Sequence, residues 1–214
     1  MYVEFGATST DTVKLTITYG STTTAKTWNI LSRQISCTAT WKAPTDCTQY
    51  FTGASGTVKS YNYAGGQLLN AMYYTNCIRT EAGYCRIQWK ESSTSSPDTF
   101  DMTPAPATTA LANGGYSPPA IAYACPVGYI YIPDLSMDGR TGFTSASMAT
   151  APPQAHQSFY STMCGTNFGL EGGTTSLVLV SAKQPFVLGV YTDTTTALTS
   201  PTTGFNMDYT QLAC

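Results

Sequence analysis

"APTDCTQYFTGASGTVKSYNYAGG", residues 43–66, sets a cysteine ahead of a Gly/Ser turn, a short alternating stretch and a second Gly turn. Glycines at such offsets punctuate strands, and an alternating stretch between them reads as one strand of a sheet. The same period of two runs through much of the chain. "CRIQWKE" (85–91) alternates Cys85, Ile87 and Trp89 with Arg86, Gln88 and Lys90, and "GFNMDYTQL" (204–212) alternates Phe205, Met207 and Tyr209 with Asn206, Asp208 and Thr210. Near the start, "TVKLTITY" (12–19) places Val13, Leu15, Ile17 and Tyr19 on one face and Lys14, Thr16 and Thr18 on the other, as a half-buried strand requires. The apolar runs "GYIYIPD", "TSLVLVS" and "PFVLGVY" are of strand length and bounded by Gly, Pro or Ser, as expected of buried strands. The best helical candidate, "QLLNAMYYTN" (67–76), is short and rich in β-favouring tyrosine, so it reads as loop passing into strand. The chain is therefore expected to be all-β, with two packed antiparallel sheets.

Composition narrows the function. At 214 residues the chain suits one sizeable core, and only 10% of its residues are charged, against about 25% in an average soluble domain. Lys and Arg number 10 against 12 Asp and Glu, a formal net charge of -2. Nothing in that balance seeks phosphates, so no nucleic-acid partner is expected. No window approaches the roughly 18 apolar residues that span a bilayer, so no membrane span is expected, and the opening "MYVEFGATSTD" lacks the basic-then-apolar order of a signal peptide. Residues 1–26 are expected to form an extra strand or hairpin ahead of a domain at 27–214, with residues 103–119 a Pro/Ala/Gly-rich insertion that needs no regular structure.

Seven cysteines, Cys37, Cys47, Cys77, Cys85, Cys125, Cys164 and Cys214, are dispersed, with no CxxC and no Cys/His cluster. Disulfides in an oxidising, extracellular compartment account for such spacing better than zinc or haem, and the odd count leaves one cysteine over. Enzymatic chemistry finds little purchase: the single histidine, His156, lies in the Pro/Gln-rich "APPQAHQSFY" with no recognisable nucleophile motif, and the acidic residues are scattered. No enzyme and no cofactor are expected.

The order of motifs resembles a CUB domain. Cys47, "TGASGTVKSYNY" and Cys77 match its opening cysteine, Gly turn, G-x-[IV]-x-S-x-N-Y strand and second cysteine. Cys125 with "YIYIPD" is similar to the third cysteine and its strand, "MCGTNFG" to the F-C-G of the fourth, and "PFVLGVYTD" with "GFNMDY" to the close of the domain. "TWNILSRQISC" ahead of these and "CIRTEAGYC" behind the first pair look like the CUB-like domains of secreted arthropod proteins, and the likeness covers about residues 27–214. It implies a disulfide-stapled, jelly-roll-like β-sandwich that binds proteins or glycans outside the cell and has no catalysis of its own.

The resemblance also implies pairs Cys47–Cys77 and Cys125–Cys164, each closing a loop of about 30 to 40 residues worth roughly 3 to 4 kcal/mol in the chain-entropy model. Cys37 and Cys85 are left as a third pair, since both flank segments adjacent to the first staple, and Cys214 stays unpaired or links chains. Some CUB domains hold calcium with three acids. Asp193 matches the late one and Asp101 stands for the first, but "CPVG" lacks the middle one and "DLSMDGR" (134–140) is an incomplete loop, so no metal is expected and Asp193 reads as a turn-capping residue.

Two functions remain. One is a structural protein that assembles with copies of itself as an oligomer or fibril: the Thr-rich first segment has little charge to blunt its edge and can add to a neighbouring sheet through Val13, Leu15, Ile17 and Tyr19. The other is a recognition module whose tyrosines, 15 in all, bind a protein or glycan. No N-x-[ST] sequon occurs, while the Thr/Ser/Pro stretches suit O-linked sugars.

Overall fold

The computed structural model describes residues 1–6, 8, 10–18, 27–63, 68–92, 99–102, 115–117, 128–136, 160–165, 168, 176–193 and 204–214. They hold eleven strands: β1 (Gln49–Phe51), β2 (Ser55–Lys59), β3 (Tyr73–Ile78), β4 (Tyr84–Glu91), β5 (Phe100–Asp101), β6 (Gly115–Ser117), β7 (Gly128–Ser136), β8 (Tyr160–Cys164), β9 (Leu179–Ser181), β10 (Phe186–Thr192) and β11 (Gly204–Ala213). No α-helix occurs among the described residues.

Alternation does what the sequence implies in the long strands. Ile87 and Trp89 of β4, Phe205, Met207 and Tyr209 of β11, and Phe186, Leu188 and Val190 of β10 all point into one buried cluster. One layer runs β1-β3-β10-β7-β8-β6 and the other β9-β4-β11-β2, with β5 continuing the β4 side of β11. Together they make the jelly-roll sandwich, antiparallel except for β1 beside β3, which run parallel. Strand β7 joins the layers, because its first half pairs with β10 and its last two residues with β9. Between the halves the register shifts and Asp134 takes a φ of 51°, which reverses the inward phase from Ile130 and Ile132 to Leu135.

The glycine of "SGTVK" has a steric cause. Gly56 pairs with Tyr209, and a Cβ there would lie 2.8 Å from the Tyr209 ring, so only glycine lets that ring cross β2 into the core. Turn 52–54 is anchored from the far end of the chain. Buried Gln211 donates to the carbonyls of Gly53 (3.0 Å) and Arg79 (2.8 Å) and accepts from the Glu81 N–H (2.9 Å). The Gly53 N–H donates to Glu81 at 2.7 Å, which with the Arg79 guanidinium holds that carboxyl below its usual range.

The first segment departs from expectation. Residues 11–18 form no strand, and Val13, Leu15 and Ile17 are 44%, 60% and 37% exposed; Tyr19 lies outside the described residues. Alternation selects a face, but a strand also needs a partner for its N–H and C=O groups, and no edge of this sandwich takes up these residues. Among the described residues of this segment the very start docks: the Tyr2 N–H donates to the Thr48 carbonyl (2.7 Å), and Thr45 donates to Glu4 (3.0 Å).

Candidate interaction surface

Inward residues of the β1 layer fill the core, so its outward residues make a surface of their own. In register across β3, β10 and β7 stand Tyr73, Tyr191 and Tyr129. The next outward row is Thr75, Gly189 and Tyr131, continued by Thr162 of β8, and the third holds Cys77 and Val187 beside Tyr50 of β1. None of these outward side chains carries a charge. Tyr129 and Tyr191 stack at 5.0 Å between ring centroids. Burial pushes the Tyr129 phenol up, and the neighbouring Tyr191 and Tyr73 add to the rise. Tyr131 leans over the bare backbone of Gly189, where a Cβ would sit 3.8 Å from its Cδ1, and remains 44% exposed; Tyr73 is 88% exposed.

At the β1 edge this face meets the first staple. Cys47 bonds to Cys77, and around them pack Ala43, Tyr2, Tyr50 and Val187. Beside the staple lies a groove of about 540 Å³, lined among others by Tyr2, Tyr50, Lys59, Tyr61 and Tyr63. Its aromatic wall is fixed from within. Tyr61 meets the buried Tyr74 ring at 4.7 Å, and the Tyr74 hydroxyl accepts the Tyr61 N–H at 3.3 Å. Burial raises the Tyr74 phenol to about 12. Lys59 reaches over the Tyr63 ring, 5.8 Å from its centroid. No single stretch of sequence shows this groove or the tyrosine rows, because the outward tyrosines come from strands far apart in the chain; the alternation of "GYIYIPD" and "PFVLGVY" is the signal that points to them.

The remaining cysteines require a correction. Cys85 bonds to Cys214, not to Cys37, which is free and exposed. The cause is strand pairing: β4 and β11 run antiparallel with Ala213 opposite Tyr84, so the start of one lies against the end of the other and the two Cα atoms are 5.0 Å apart. Cys214 is thus neither unpaired nor available to another chain, and Cys37 is left in the segment before the sandwich. Cys164 is disulfide-bonded; its expected partner Cys125 lies outside the described residues, as do His156 and most of the 103–119 insertion.

The described acids stand apart from one another. Asp101 lies in β5 and Asp193 just past β10, where its carbonyl accepts the Ala71 N–H at 3.0 Å. Among the described residues no three acidic, His or Cys side chains converge on a common centre. Glu91 accepts from the Phe168 N–H and from the Ser176 and Thr99 hydroxyls, which ties the end of β4 to the β8–β9 and β4–β5 connections.

A model of the animal CUB domain matches residues 44–212. No curated protein matches the chain. Among solved structures, the CUB1-EGF-CUB2 domain of human MASP-1/3 is similar at 16% identity, over 78% of this chain and 42% of that one, with a TM-score of 0.38. This chain therefore spans less than half the length of that one. The match to the family, over residues that form the sandwich and the Cys47–Cys77 staple, shows that the chain belongs to the animal CUB domains.

Proposed function

We propose that this CUB domain is an extracellular, non-enzymatic protein that associates with copies of itself through its N-terminal segment. The disulfides and the family support an extracellular setting. The observation that carries self-association is the row Val13, Leu15 and Ile17, exposed on a segment that alternates like a strand and has no ladder partner within its own described chain. Strand β2 offers a complementary edge, since it pairs only with β11 among the described strands. An added strand there satisfies backbone groups on both chains, and repetition of a head-to-tail contact gives a filament unless the rotation closes. Deletion of residues 1–20, or Leu15→Pro, is expected to give a folded monomer with its disulfides intact, read by light scattering after size exclusion. Unchanged assembly of both variants would sink this reading.

The uncharged tyrosine face favours a second reading, a recognition module for a protein or glycan. A monomeric chain that retains a partner, and loses it on substitution of Tyr73 or Tyr131, is the expected result for that reading.

A further inference from the structure

Resting on the recognition reading, we infer that the outer face of the β1 layer is a binding site for a neutral polysaccharide, with the Tyr131 ring as its floor and Tyr73 and the Tyr129–Tyr191 stack beside it. Three observations point to that ligand class. First, the block carries no charge across three paired strands. An anionic glycan or a nucleic acid needs a basic track along its backbone, which this block lacks. Second, the face is aromatic and hydroxylated rather than aliphatic. Tyr131 and Tyr73 present ring surface to solvent, while the phenols and the hydroxyls of Thr75 and Thr162 supply donors and acceptors around it. A sugar ring has the matching chemistry, an apolar C–H face bordered by hydroxyls. Val187 is the one aliphatic side chain among the rows, whereas most of the exposed aliphatic residues, among them Val13, Leu15 and Leu31, lie ahead of the sandwich. Third, the platform is pre-organised. Gly189 leaves the space over which Tyr131 leans, and the stacked pair is held by cross-strand register, so little side-chain freedom is lost on binding.

The test uses the full chain and three probes: insoluble cellulose, insoluble chitin, and heparin-agarose as the anionic control. Depletion from solution by at least one neutral polymer, equal at low and at high salt and absent for heparin, is expected. Tyr131→Ala and Tyr73→Ala are each expected to weaken that binding about tenfold, as the loss of one aromatic contact implies. Leu31→Ala, at a fully exposed position ahead of β1, is expected to leave it unchanged. Thermal melting checks that the variants fold. Failure to bind either neutral polymer overturns the inference, as does binding to heparin alone or binding untouched by both tyrosine substitutions. A protein partner lost with Tyr131→Ala would sink the glycan inference and leave the recognition reading standing. A shift from dimer to monomer with Tyr131→Ala would assign the face to a second copy and overturn both.

Discussion

Residues 12–19 and 204–212 carry the same alternation of apolar and polar side chains, and they end in opposite states. The second is β11, paired to β4 on one side and β2 on the other, with Phe205, Met207 and Tyr209 buried. The first has Val13, Leu15 and Ile17 exposed and no ladder. Alternation is thus a statement about faces. Whether a face is covered depends on a neighbouring backbone, and β11 has two of them in register while residues 12–18 have none.

The largest expected effect tests what holds β11 in its place. Replacing Cys85 and Cys214 together by Ser opens a loop with a sequence separation of 129 and is expected to cost about 4 to 5 kcal/mol in the chain-entropy model, read by urea unfolding. A loss under about 1 kcal/mol would mean that the β4–β11 ladder needs no staple.

Next comes the core side of the contrast. Phe205→Ala removes a fully buried ring and is expected to cost about 4 kcal/mol. A melting temperature close to the parent's would show that the cluster is loosely packed.

Alkali attacks the same core through its phenols. The Tyr74 phenol is raised to about 12 by burial from an ordinary value of about 10. The folded chain therefore holds its proton more tightly than the unfolded one, and stability is full below the ordinary value and falls as pH rises towards the folded one. The loss is expected to be on the order of 2 kcal/mol across that window, with tyrosinate absorbance and unfolding rising together. Titration of all tyrosines at their ordinary value without unfolding would contradict the burial of Tyr74.

The other side of the contrast is expected to be nearly silent in stability. Leu15→Ala should change unfolding by less than about 0.5 kcal/mol, because the side chain is exposed, yet it should weaken assembly. A cost near that of Phe205→Ala would place the segment in the chain's own sandwich. Smallest of all is chelation: melting with EDTA or added calcium should agree within about a degree, since Asp101 and Asp193 belong to no acidic cluster among the described residues. A shift of several degrees would reveal a bound cation.

Local sequence already marks the strand class, the inward residues of β4 and β11, and the order of motifs that resembles the family. These are local properties: period two, glycines at turns, and cysteines at the ends of runs. The first staple, Cys47–Cys77, follows from the resemblance to the CUB domain, and the structure forms it. The tertiary structure alone decided which strands adjoin. That choice placed Cys214 beside Cys85 and stranded Cys37, because antiparallel neighbours bring the end of one strand to the start of the other. It gathered Tyr73, Tyr129, Tyr131 and Tyr191 onto one face from three strands, and it left Val13, Leu15 and Ile17 uncovered. Pairing over long sequence separations is set by the packing of the whole sandwich, which no window of the chain contains.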